Sequence, residues 1–125
     1  MTWTLLHDRM AYMAEMIKVA ETDPEAALAL ADRPTEVSRF FGDEEGLLLS
    51  LRHRWMTMLV AKLDQAAYDG VPADQARADL VAAQPGLHAL LEIASGRSLR
   101  VRSLSRGEQH AISLFGGSSD RQTVA

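Results

Sequence analysis

Apolar residues recur at helical spacing along almost the whole chain, most clearly at its start. Trp3, Leu6, Met10, Met13, Ile17 and Ala20 share one face of a helix over 3–20, and Leu5, Met16 and Val19 widen the stripe. Asp23-Pro24-Glu25 supplies an N-cap, a proline at the first helical position and an acid behind it, predicting a helix to about Ala31. Asp32-Arg33-Pro34 opens a shorter one, with Val37, Phe40 and Phe41 apolar and Gly42 as its stop. The run from Asp43 to Asp69 is the longest element. Leu48, Trp55, Leu59, Leu63 and Ala66 fall on one side, flanked by Leu51 and Met58 on one edge and by Leu49, Met56, Val60 and Ala67 on the other. That sector is about half the circumference, wider than the roughly 100° stripe of a surface helix, so neighbours must cover it on several sides.

Beyond Asp69-Gly70 and Pro72 the pattern weakens. Pro72 to Gln84 reads as a helix with Ala76, Leu80 and Ala83 inward, and Pro85-Gly86 opens another that ends at Gly96. Arg97–Leu104 resists a helical reading, because Leu99 and Val101 alternate with Arg100 and Arg102, and an irregular connection is expected there. Ser105-x-x-Glu108 reads as a capping box for a last helix through Ala111, Ile112 and Phe115, stopped by Gly116-Gly117. The expected fold is therefore all-α: a compact irregular or orthogonal bundle of five to seven helices around the long central helix at 43–69, with the 3–20 helix packed against it. It forms a single domain over 1–117, followed by a polar, disordered tail at 118–125. A helix of about 26 residues spans about 39 Å, so it should protrude, bend or be covered by a second subunit, which favours a homodimer.

Composition narrows the class. The 125 residues suit one domain, and a hydrophobic fraction of 47% with 8 Gly and 4 Pro argues for a folded globule. With no cysteine there are no disulfides and no thiolate metal ligands. No basic and apolar leader opens the sequence, and no apolar run approaches the roughly 18 residues of a membrane span, so a cytoplasmic location and no membrane partner are expected. The net charge of −4 conceals an asymmetry: residues 1–95 carry −7 and residues 96–125 carry +3. The acids concentrate at helix starts within 21–45, where capping accounts for them.

Few residues suggest chemistry. Arg97, Arg100, Arg102 and Arg106 form a basic cluster whose forks suit phosphates and carboxylates. Pairing with the acidic N-terminal half is the simpler role for them, with Leu99, Val101 and Leu104 anchoring the segment. An acidic chain with no aromatics in that cluster argues against general nucleic-acid binding. The helix after Pro85-Gly86 opens with Leu87, His88 and Ala89, which is a poor DNA-reading face. Arg52 falls inside the apolar arc of the long helix and needs a carboxylate or a ligand; Glu44, Glu45, Glu15 and Glu21 are the candidate partners. The ligand alternative would use Arg52 as an anion clamp, Trp55 as a wall and His53 nearby. His88 and Glu92 stand at i, i+4 without a third ligand in motif spacing, so no metal site is assigned. Met10, Met13, Met16, Met56 and Met58 could serve as core filler or as an adaptable groove.

The succession Arg33-x-x-Glu36-x-x-Arg39-Phe40-Phe41-x-Asp43-Glu44, then Leu47-Leu48, Arg54-Trp55 and Leu63-Asp64, and later Gln84-Pro85-Gly86-Leu87 and Glu108 to Gly116, resembles small uncharacterised all-helical proteins of actinobacteria. The resemblance implies a bacterial, cytoplasmic, all-helical domain. It implies no activity, cofactor or site residue. No nucleophile elbow, phosphate loop or paired-carboxylate motif is present. The expected function is a non-enzymatic module binding an unknown protein partner. A small-ligand or enzymatic site near Arg52 and Trp55, and nucleic-acid or anion binding through Arg97–Arg106, are the alternatives.

Overall fold

A computed structural model of the chain describes the backbone of residues 2–31 and 33–124, and the side chains of these apart from 30, 31, 105, 111 and 115–124. Among the described residues there are seven helices and no strand: α1 (Trp3–Ala20), α2 (Pro24–Ala31), α3 (Pro34–Phe41), α4 (Glu44–Asp69), α5 (Ala73–Ala83), α6 (Pro85–Arg97) and α7 (Leu99–Val124). The all-α bundle expected from the periodicity is what forms.

Local chemistry sets most boundaries. The Asp23 carboxylate accepts from Ala26 N at 3.1 Å and that of Asp43 from Gly46 N at 2.7 Å, so each satisfies an orphan donor at a helix start. Gly70 closes α4 in the left-handed region at φ 74, while the Val71 amide reaches back to Ala66 O at 2.8 Å.

α4 lies at the centre, with α3, α5, α6 and α7 packed on it. Its inward side buries Leu47, Leu51, Trp55, Leu59 and Leu63 at 1% exposure or less. They meet Met16 of α1, Leu87 and Leu90 of α6, Leu80 of α5 and Val101 of α7 in a single apolar cluster. α5 folds back along α4 and covers one side of its far end.

One expectation needs refining and another needs correction. α1 meets α4 through side chains, Met16 in the core and Arg9 on Ser50, while the helices whose backbones come close to it are α2, α6 and α3. Gly86 is the reason α6 comes so near: a Cβ there would stand 2.3 Å from Ile17 O and 2.9 Å from Glu21 Cγ. Second, Arg97–Leu104 is not an irregular connection. α7 starts at Leu99, where the Ser98 hydroxyl accepts from Val101 N at 3.3 Å. Ser98 caps this helix, and Glu108, read as part of a capping box at Ser105, lies inside it with its side chain buried. The Ser105 side chain lies outside the described residues. Of the three supposed anchors only Val101 is buried, whereas Leu99 and Leu104 are exposed. The backbone of α7 continues past Gly116-Gly117 to Val124. The tail expected at 118–125 falls outside the residues whose side chains are described.

The glycines give a direct test of this packing. Gly86→Ala should destabilise by about 1–3 kcal/mol, the usual cost of overpacking. Gly96 and Gly107 are helical with open space around them, so Gly96→Ala and Gly107→Ala should each stabilise by about 0.5–1 kcal/mol. Urea unfolding measures all three, and a Gly86→Ala protein as stable as the parent would contradict the close α1–α6 approach.

Candidate functional site

Glu108 gathers the polar residues of the interior. Its side chain is 3% exposed. Arg52 Nη2 donates to Oε2 at 2.5 Å, while Trp55 Nε1 and Arg77 Nε donate to Oε1 at 2.9 and 3.1 Å. Arg52 Nη2 also reaches Leu104 O at 3.2 Å. Donors from α4 and α5 thus converge on one carboxylate of α7. Burial pushes the Glu108 carboxyl upward, but the hydrogen bonds from Trp55 and Arg52 and the charges of Arg52 and Arg77 outweigh it and hold it below the ordinary carboxylate range.

Arg52 is therefore paired, as its place in the apolar arc demanded, but its partner is not one of the four acids expected. Glu44 meets Arg97 at 2.8 Å and Glu45 meets Arg100 at 3.6 Å. A concavity of about 690 Å³ lies among these four residues, where the charges answer one another. Among the described residues, the pairing expected between the arginine segment and the acidic half is present for Arg97 and Arg100 only.

Arg102 and Arg106 belong elsewhere. With Arg52, Trp55, Arg77, His88 and Glu108 they line a cleft of about 330 Å³ bounded by α4, α5, α6 and α7. The Trp55 and His88 rings lie 5.7 Å apart, and His88 Nε2 is 3.4 Å from Glu92 Oε1. Among the described residues no group of three or more potential ligands could hold a metal ion. His53, expected beside Trp55, lines a different surface.

That surface is a groove of about 640 Å³ between α1 and α4. Met13 forms part of its floor, being almost fully buried, while Leu6 and Met10 on α1 are 42% and 44% exposed. Leu49 and Met58, half-buried on α4, complete the apolar lining. The polar lining is Arg9, Ser50, His53, Arg54 and Thr57, without a carboxylate. Arg9 is fixed at the rim by donating to Ser50 Oγ at 2.7 Å and by lying over the Phe41 ring. Arg54 makes no ion pair or hydrogen bond among the described residues. The methionines divide accordingly: Met16 is core, Met56 packs against it, and Met10, Met13 and Met58 line the groove.

The start of α6 is covered by α1, with Gly86 and Leu87 buried. No helix among the described residues is long and apolar enough to cross a membrane. No family model, no curated protein and no solved structure matches the chain.

The Glu108 network makes a specific pH prediction. Glu108→Gln leaves the Arg52 charge buried without a counter-ion and should cost about 3–5 kcal/mol at neutral pH. Because folding lowers the Glu108 pKa, its contribution is complete above the unfolded carboxyl's value and is lost as pH falls through the folded one. The gap between parent and variant should therefore close on acidification, measured by urea unfolding from pH 7 downward. A gap independent of pH would contradict a charged Glu108.

Proposed function

We propose that this protein is a non-enzymatic interaction module whose α1–α4 groove receives the apolar face of an amphipathic helix with acidic flanks, carried by another protein. The observation that carries the reading is an open apolar groove with cationic but no anionic lining. Leu6, Met10, Leu49 and Met58 offer the kind of surface on which anchors at i, i+3 or i+4 and i+7 seat themselves. Methionine adapts to partner shape at little cost, which suits a docking face better than a core. Arg54 on one wall and Arg9 on the other would meet carboxylates beside the apolar stripe, adding orientation and association rate more than raw affinity.

Selection from a library of helix-forming peptides tests it. Recovered sequences should combine an apolar stripe with Asp or Glu on its flank. Met10→Glu should weaken them by about tenfold or more, as expected for a central contact, while thermal unfolding stays close to the parent because the side chain is partly exposed. Arg54→Glu should shift preference toward basic flanks. Recovery of no peptides, or of peptides indifferent to Met10→Glu, would remove the proposal. A dimer that light scattering shows dissolving on Met10→Glu, without peptide binding, would assign the groove to a second copy instead.

A further inference from the structure

We propose that the cleft between α4, α5, α6 and α7, on a separate face from the α1–α4 groove, binds a small organic molecule through an oxyanion, either a phosphate or a carboxylate. Four guanidinium groups line it, those of Arg52, Arg77, Arg102 and Arg106, against only two carboxylates, Glu92 and Glu108. Glu108 is already committed to Arg52, Trp55 and Arg77, and Glu92 faces His88. The surplus is positive and directed. Arg77 spends its Nε on Glu108, and Arg102 spends its Nε on Ser95 O at 3.1 Å. The terminal nitrogens of both, and the whole head of Arg106, make no hydrogen bond among the described residues. Arg102 and Arg106 stand at i, i+4 on α7, one turn apart on one face, which allows both forks to reach the same anion.

A second observation is independent of these surface charges. Arg52 lines the cleft, is 3% exposed, and its Nε is buried without a hydrogen-bond partner among the described residues. Buried charged donors are seldom left unsatisfied, and such an orphan at the base of a cleft calls for an explanation, strain, an ordered water or an ion being the usual ones. Trp55 and His88, their rings inclined at 45°, provide an aromatic lining and Leu91 an aliphatic one. The volume is at the small end of ligand sites. An oxyanion head with a compact ring or short chain behind it fits that combination, and the delocalised, planar forks of arginine suit such heads.

The test uses the full chain with phenyl phosphate, inorganic phosphate and malonate, each compared with sodium chloride at equal ionic strength. Thermal unfolding should move upward with at least one of the three relative to chloride, and the Trp55 indole N–H resonance should shift in the same titration. A response to the phosphates alone assigns a phosphate head, and a response to malonate alone assigns a carboxylate. The double variant Arg102→Gln/Arg106→Gln should melt like the parent without ligand yet bind about tenfold or more weakly, as the loss of charge-assisted hydrogen bonds requires. Arg97→Gln/Arg100→Gln, outside the cleft, should bind like the parent. No stabilisation beyond chloride, or equal loss in both double variants, would overturn the proposal. So would binding of a single-stranded oligonucleotide that phenyl phosphate does not compete with.

Discussion

The fold turns on one carboxylate. Glu108 sits near the middle of α7 with its side chain sealed from water, and isolated it would destabilise the bundle severely. It is tolerated because three donors on α4 and α5 converge on it: the Trp55 indole and two guanidinium groups. The convergence sets the register of α7, since a shift of one residue would carry Glu108 about 100° around the helix, away from Arg52 and Trp55. Apolar packing alone would be more permissive, because Val101 is the one fully buried hydrophobic residue that α7 contributes among those described. The polar contacts specify what the sparse apolar contacts leave open. Two arginines to one glutamate also leave a positive remainder, and the cleft beside Glu108 inherits it.

The other concavity arises from spacing. α1 is drawn onto α6 by the absence of a side chain at Gly86 and onto α2 and α3 by the short turns that join them. It therefore stands off from α4, and they are joined across the gap by side chains such as Arg9 and Ser50. What the gap leaves uncovered is part of the α1 apolar stripe, so Leu6 and Met10 keep much of their surface. A helix stripe wider than its neighbours can cover becomes a groove.

These two origins explain what could be read in the sequence. Caps and breakers are local, so Asp23-Pro24, Asp43, Gly70 and Pro85-Gly86 place the helices they delimit almost to the residue. Burial of Arg52 is also local, following from its angle among Leu48, Trp55 and Leu59. Its partner is not, because Glu108 lies 56 residues away and stands at capping-box spacing from Ser105. The signal was present in another form: Val101, Glu108 and Ile112 are spaced seven and four apart, one helical stripe with a carboxylate in it. An acid and a base, each misplaced on an otherwise apolar face, are each other's natural partners. A capping box at Ser105 and Glu108 would interrupt that stripe and start the helix too late, whereas α7 begins at Leu99. The groove had no local signal at all. Helical periodicity marks Leu6 and Met10 as inward, and only the position of α1 relative to α4 decides that they are not.

Net charge is a poor guide to such a surface. The chain is acidic at −4, yet the α1–α4 groove has arginine without carboxylate in its lining and the α4–α7 cleft has four arginines to two acids. Several acids are spent elsewhere, Asp23 and Asp43 as caps, Glu44 and Glu45 on Arg97 and Arg100. At physiological ionic strength fields decay over about 8 Å, so an approaching anion responds mainly to the few groups around the concavity it enters. Two cationic faces on an acidic protein are therefore consistent electrostatically. The distant acids set the net charge, and the local arginines set the potential inside each concavity.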